Sequence, residues 1–120
     1  MLHTDATVLF IGSKVGLLGD HLVSHVRAQC IVPTGPMPVT TKALAALGRA
    51  GVVVLPDFVT TAGPLASWPG EGPDRDPAAL VADRVASVLD HPKGPLVGAC
   101  EEAEAFLTSW TTVPFGRPIA

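Results

Sequence analysis

Three short apolar runs set the strongest limit on what this chain can fold into. Thr7-Val8-Leu9-Phe10-Ile11, Cys30-Ile31-Val32 and Val52-Val53-Val54-Leu55 are continuous rather than alternating, and each stops at a glycine or proline: Gly12, Pro33 and Pro56. A strand that is apolar on both faces needs cover on both faces, which is the condition of a parallel sheet layered between helices. The stretches between the runs have helical periodicity. From Gly16 to Ala28 the apolar residues Leu18, Leu22 and Val26 recur every four positions among Asp20, His21, Ser24 and Arg27, predicting a helix with one face on the sheet. The second stretch opens with the loop Pro33-Thr34-Gly35-Pro36-Met37-Pro38. There Thr40 or Thr41 is placed to cap a helix through Lys42–Leu47, which Gly48 or Gly51 ends. The order strand, helix, strand, helix, strand implies an α/β layer built from parallel crossovers.

Beyond the third run the chain changes character. Residues 69–77 read Pro-Gly-Glu-Gly-Pro-Asp-Arg-Asp-Pro, a connection that no regular element tolerates. Two helical stripes follow, Leu80, Val81, Val85, Val88 and Leu89, then Leu96, Cys100, Ala103, Leu107 and Trp110. The whole reads as one domain over 1–120, with strand and helix units in 1–68, the connection in 69–77 and C-terminal helices in 78–110. Three strands make a small sheet, so one edge is expected to need a cover, either the tail Thr111–Phe115 or strands from another chain.

Composition excludes several functions. With 8 Lys and Arg against 11 Asp and Glu, and a net charge of −3, the chain lacks the basic stripe that nucleic-acid binding requires. Four Phe, two Trp and no Tyr leave little for base stacking. No apolar run is long enough to span a membrane and the N-terminus has no signal-peptide pattern, so the chain reads as cytoplasmic. Cys30 and Cys100 lie outside any Cys-x-x-Cys and read as two reduced thiols.

Candidate chemistry is sparse. Gly12-Ser13-Lys14-Val15-Gly16-Leu17-Leu18-Gly19 follows a strand and opens the first expected helix, where backbone N–H groups can hold a phosphate. Its spacing is neither Gly-x-Gly-x-x-Gly nor a P-loop. His21 and His25 share a helical face but lack a third metal ligand. Asp83, Glu101, Glu102 and Glu104 read as a solvated helix face, and Ser13 and Ser67 lack the surroundings of a nucleophile.

The most informative segment is Thr34–Ser67. Thr34-Gly35-Pro36-Met37-Pro38-Val39-Thr40-Thr41-Lys42-Ala43, a short helix, Arg49-Ala50-Gly51 and an apolar run lead into Pro56-Asp57-Phe58-Val59-Thr60-Thr61-Ala62-Gly63-Pro64-Leu65. This resembles the C-terminal half of the dinucleotide-binding domain in the glutamate/leucine/phenylalanine/valine dehydrogenase family. There a Gly-Ala-Asn-Gly-Pro-Thr-Thr-Pro-Glu-Ala loop and a Pro-Asp-Phe-Leu-Ala-Asn-Ala-Gly-Gly-Val segment occupy the same positions. The likeness is best over residues 31–66. It implies a partial Rossmann-like layer of about three parallel strands with crossover helices and two C-terminal helices, and a nicotinamide cofactor, NAD or NADP, bound weakly or not at all by the chain alone.

The departures bear on chemistry. The family's loop asparagine falls on Pro36, the one after Pro-Asp on Thr61, the second glycine of Ala-Gly-Gly on Pro64, and a helix serine on Trp68. The family's glycine fingerprint and its catalytic lysine and aspartate have no counterpart here, so hydride transfer would need a partner chain, and no catalytic residue is assigned. The expected cofactor-side residues are Lys14, Thr34, Gly35, Asp57, Thr61 and Gly63, at strand ends where open α/β sheets bind ligands. Three readings stay open: a dehydrogenase-like subunit or fragment completed by a complementary chain, a noncatalytic domain that self-associates, and a phosphate-binding module using Gly12–Gly19.

Overall fold

The computed structural model describes residues 4–66 and 76–109. Three parallel strands, β1 (Val8–Ile11), β2 (Cys30–Pro33) and β3 (Val53–Val54), form one sheet in the order β1-β2-β3. Around it lie α1 (Thr41–Arg49), the single turns α2 (Asp57–Thr60) and α3 (Gly63–Ala66), and the longer α4 (Pro77–Leu89) and α5 (Pro95–Thr108). Consecutive neighbouring strands of this kind make one half of a doubly wound layer.

The register explains the core. Leu9 pairs with Ile31 and Ile31 with Val54, so these three side chains share one face of the sheet, joined two residues on by Ile11. That face meets Leu18, Leu22, Leu44 and Leu47, and Ile31 and Leu47 have no exposed surface. The opposite face carries Val8 and Phe10 on β1, both exposed, while α2 packs on β2 and α5 reaches β3.

Most element boundaries follow the sequence signals. The Thr40 hydroxyl accepts the Ala43 N–H at 3.2 Å as the cap of α1. The helix runs through Gly48, and Gly51, at φ +76°, turns the chain into β3. Asp76 caps α4 through the Ala78 N–H at 3.0 Å, and Pro77 is its first residue, so this helix begins inside the expected connection.

One expectation fails. The helix predicted from Gly16 to Ala28 is only a 3-10 helix over Asp20–His25. The Leu18 N–H donates to the Pro38 carbonyl at 2.8 Å, and its carbonyl accepts from the Thr40 N–H at 3.1 Å. Leu18 therefore bridges to Val39 as a short parallel strand contact, and its peptide groups are committed across the chain rather than along a helix. The four-residue spacing still reports burial: Leu18, Leu22 and Val26 all join the core. Residues 69–75, Ser67, Trp68, Trp110 and the tail Thr111–Phe115 lie outside the described residues.

Candidate functional site

The loops after the three strands meet at the C-terminal end of the sheet and are laced to one another. After β1, the Lys14 N–H donates to the Gly12 carbonyl at 3.0 Å around Ser13, whose φ of +71° makes this a strained three-residue turn. The chain then passes Gly16, whose N–H donates to the Met37 carbonyl at 2.8 Å. After β2, Met37 is held at φ +46°, and its N–H donates to the Asp57 carboxylate at 2.6 Å. After β3, α2 is fastened back to β2 by the Thr60 hydroxyl, 2.7 Å from the Pro33 carbonyl. Two non-glycine residues in the left-handed region, at adjacent strand ends, are the kind of local strain that clusters at binding and switching sites.

Of the six residues expected from the sequence, four lie on this platform. The Thr34 N–H donates to the Ile11 carbonyl at 2.7 Å. Its hydroxyl leaves no room for a side chain at Gly12, where a Cβ would lie 2.1 Å from Thr34 Oγ1. Gly35 faces the same turn, with a Cβ position 3.5 Å from the Ser13 nitrogen. Lys14 is exposed, and its ammonium makes no ion pair among the described residues. Asp57 is half-buried, and its carboxylate is engaged by Met37.

The other two are turned to the scaffold. The Thr61 hydroxyl donates to the Asp57 carbonyl at 2.7 Å and closes the α2 turn, and a Cβ at Gly63 would lie 3.9 Å from Pro77 and Val81 of α4. Sequence reasoning missed Met37 and Thr60. The signal for Met37 was present: it stands between Pro36 and Pro38, so its N–H is the single backbone donor of that tripeptide.

Beside the platform a cleft of about 440 Å³ runs along β1, lined by apolar side chains including Phe10, Leu17 and Leu22 and by the polar Ser13 and Thr34. Elsewhere, burial pushes the Cys30 thiol up from its ordinary value, which favours its protonated form. On α5, Glu101 lies 3.0 Å from the Lys93 ammonium and 3.2 Å from His91 Nε2, and the Lys93 hydrogen bond holds its carboxyl below the usual range. Among the described residues no three His, Cys, Asp or Glu side chains group to hold a metal, and no helix is long and apolar enough to cross a membrane.

An L-tryptophan dehydrogenase from Nostoc punctiforme has a solved structure that superposes on this chain with a TM-score of 0.71. The match covers 90% of this chain and 36% of that one, at 18% sequence identity. The two chains share a fold over that stretch. At that identity the likeness establishes architecture alone, and this chain spans about a third of the dehydrogenase's length. No protein-family model matches the sequence, and no curated protein matches it either.

The likeness agrees with the topology: an α/β layer, three parallel strands in sequence order and closing helices. What the platform offers chemically is restraint and recognition. It brings together the tightly packed Gly12 and Thr34, Gly35, the unpaired Lys14 ammonium and the hydroxyls of Ser13 and Thr34, with one oxygen of its carboxylate engaged by Met37. The Asp57 carboxylate uses one oxygen, Oδ2, to hold the Met37 backbone, which fixes the orientation of the group.

Proposed function

We propose that this chain is one half of an amino-acid-dehydrogenase-like nucleotide layer, a subunit or fragment that holds one wall of a site and performs no oxidation by itself. The observation that carries this reading is the platform at the strand ends, set on a fold like that of L-tryptophan dehydrogenase over 90% of the chain. In that role Gly12 and Gly35 let the loops after β1 and β2 pack closely, Thr34 and Lys14 give the polar contacts, and Asp57 fixes the Met37 loop.

The described residues do not fit a complete dinucleotide. Pro36 offers no N–H, Thr61 spends its hydroxyl on the Asp57 carbonyl, and the glycine loop after β1 leads into a six-residue 3-10 helix instead of an α-helix whose dipole would hold phosphate. No reaction step is therefore assigned to NAD or NADP on this chain. Oxidative deamination of an amino acid would require a partner polypeptide that brings the other half of the layer, because donor and acceptor must be held at near-attack distance.

One observation favours a second reading, a noncatalytic interaction domain: both side chains of the Pro-Asp-Phe segment singled out for the site, Asp57 and Thr61, make internal hydrogen bonds. Calorimetry separates the readings. The isolated chain, titrated with NAD, NADP and inorganic phosphate, is expected to show no saturable heat. A copurifying polypeptide that restores dinucleotide binding and amino-acid oxidation supports the subunit reading, and an inert complex supports the interaction domain. Tight phosphate binding by the lone chain, lost in Gly16→Val, overturns both in favour of a phosphate-binding module.

A further inference from the structure

Among the described residues strand β1 is an edge strand, and its bonds to β2 use alternate residues. The carbonyls of Thr7 and Ile11 accept from Cys30 at 3.0 Å and Thr34 at 2.7 Å. Parallel alternation then turns the N–H and C=O groups of Val8 and Phe10 to the opposite side, away from β2. No proline, charge or bulge interrupts Val8–Ile11, although these are the devices by which edge strands avoid pairing. Val8 and Phe10 are also 40% and 66% exposed, and Val15 and Leu17 stand out in the loop that follows.

We propose that β1 pairs antiparallel with β1 of a second copy of this chain, about a two-fold axis at Leu9. Thr7 extends the ladder, so the pairing stretch Thr7–Ile11 is centred on that residue. The register sets Val8 opposite Phe10 of the partner subunit, and Phe10 opposite the partner's Val8. All four outward-facing residues of the two copies then exchange both of their backbone hydrogen bonds, with the two Leu9 residues as the closer, unbonded pair. A shift by one residue sets outward groups against inward ones and forfeits those bonds.

Charge selects a second copy as the occupant. Asp5 precedes the strand and Lys14 follows it, both exposed and in no ion pair among the described residues. Antiparallel pairing brings each Asp5 to the end where the partner's Lys14 lies, twice in one dimer. The result is a six-stranded sheet with β1 strands at its centre. The pairing rests on the edge alone, and it occupies the edge at which a complementary half-layer would join, so the two arrangements exclude one another.

Sedimentation equilibrium of the full chain tests it. The chain is expected to dimerise with concentration. Val8→Pro removes an outward N–H at the first residue of an edge strand, where proline is tolerated, and leaves the β1–β2 bonds in place. It is expected to weaken dimerisation about tenfold or more with the thermal melt of the monomer retained. Asp5→Lys and Lys14→Asp are each expected to weaken it by about tenfold, and an equimolar mixture of the two to recover it, because every reversed charge then meets its opposite. A chain that stays monomeric at all concentrations, or pairs only with a different polypeptide, overturns the proposal. So does a dimer indifferent to all three variants, or a mixture that fails to recover.

Discussion

The two edges of this sheet are treated differently by the same chain. At β3 the edge is short and closed. The strand has two residues, Gly51 and Pro56 border it, and the outward Val52 N–H is taken by the Leu47 carbonyl of α1 at 3.0 Å. The remaining outward residue, Val54, faces a cleft of about 490 Å³ whose far wall is Lys93–Val97 at the start of α5. At β1 the strand is twice as long, and the cleft of about 440 Å³ beside it is lined by Leu17 and Leu22 of the segment that follows rather than by α4 or α5. The difference teaches where this half-layer ends and where it is left to continue: its own helices finish one side, and the other presents backbone hydrogen bonds in the spacing another strand needs.

The strongest way to break the comparison is to weaken what both edges share. Ile31 lies in the middle strand with no exposed surface and pairs with Leu9 on one side and Val54 on the other. Ile31→Ala is expected to cost about 3 kcal/mol in urea unfolding, through lost burial and the cavity left among large neighbours. It should lower the stability of the monomer and the dimer alike. A smaller change separates the edges. Gly51 holds φ +76° in open space between α1 and β3, so Gly51→Ala meets no clash and suffers only the left-handed backbone, about 1 kcal/mol. Unfolding should record that loss, and the dimerisation constant should not change, because β3 takes no part in the pairing.

What the sequence made legible follows the range of the interaction. The strands announced themselves because burial on both faces requires an unbroken apolar run, and Val8–Ile11, Cys30–Pro33 and Val53–Val54 lie within or one residue beyond the runs read. The Thr40 cap is equally local, three residues from its donor. The failed helix before β2 is a long-range effect: Leu18 is drawn from helix to bridge by Pro38 and Thr40, some twenty residues later. Asp57 shows the same division. Its Pro-Asp-Phe setting identified the residue, but its partner is the Met37 N–H, 20 positions away, and only the folded chain reveals that the carboxylate is a brace. Thr61 and Gly63 stood out through the same motif, and the structure gives both to local turn and helix packing.

The smallest expected effect sharpens the closed edge. Lys93 lies in the turn that walls the β3 side, and its ammonium bonds Glu101 at 3.0 Å, which is the first cause of the lowered Glu101 carboxyl. A carboxyl lowered in the folded state favours folding while ionised. Its contribution is complete above the unfolded glutamate value of about 4.3, and it fades as pH falls through the lower folded value. Lys93→Met removes the hydrogen bond and the nearest charge. Its melting temperature should fall slightly below that of the parent at neutral pH, and the gap should close on acidification below about pH 4. The groups are exposed, so water and salt screen the pair and high salt should erase most of the gap. Because this bond fastens α5 beside β3 and touches nothing on β1, the dimerisation constant should be the same with and without it. A change there would mean that the two edges are coupled through the sheet, and that the closed side helps to set the shape of the open one.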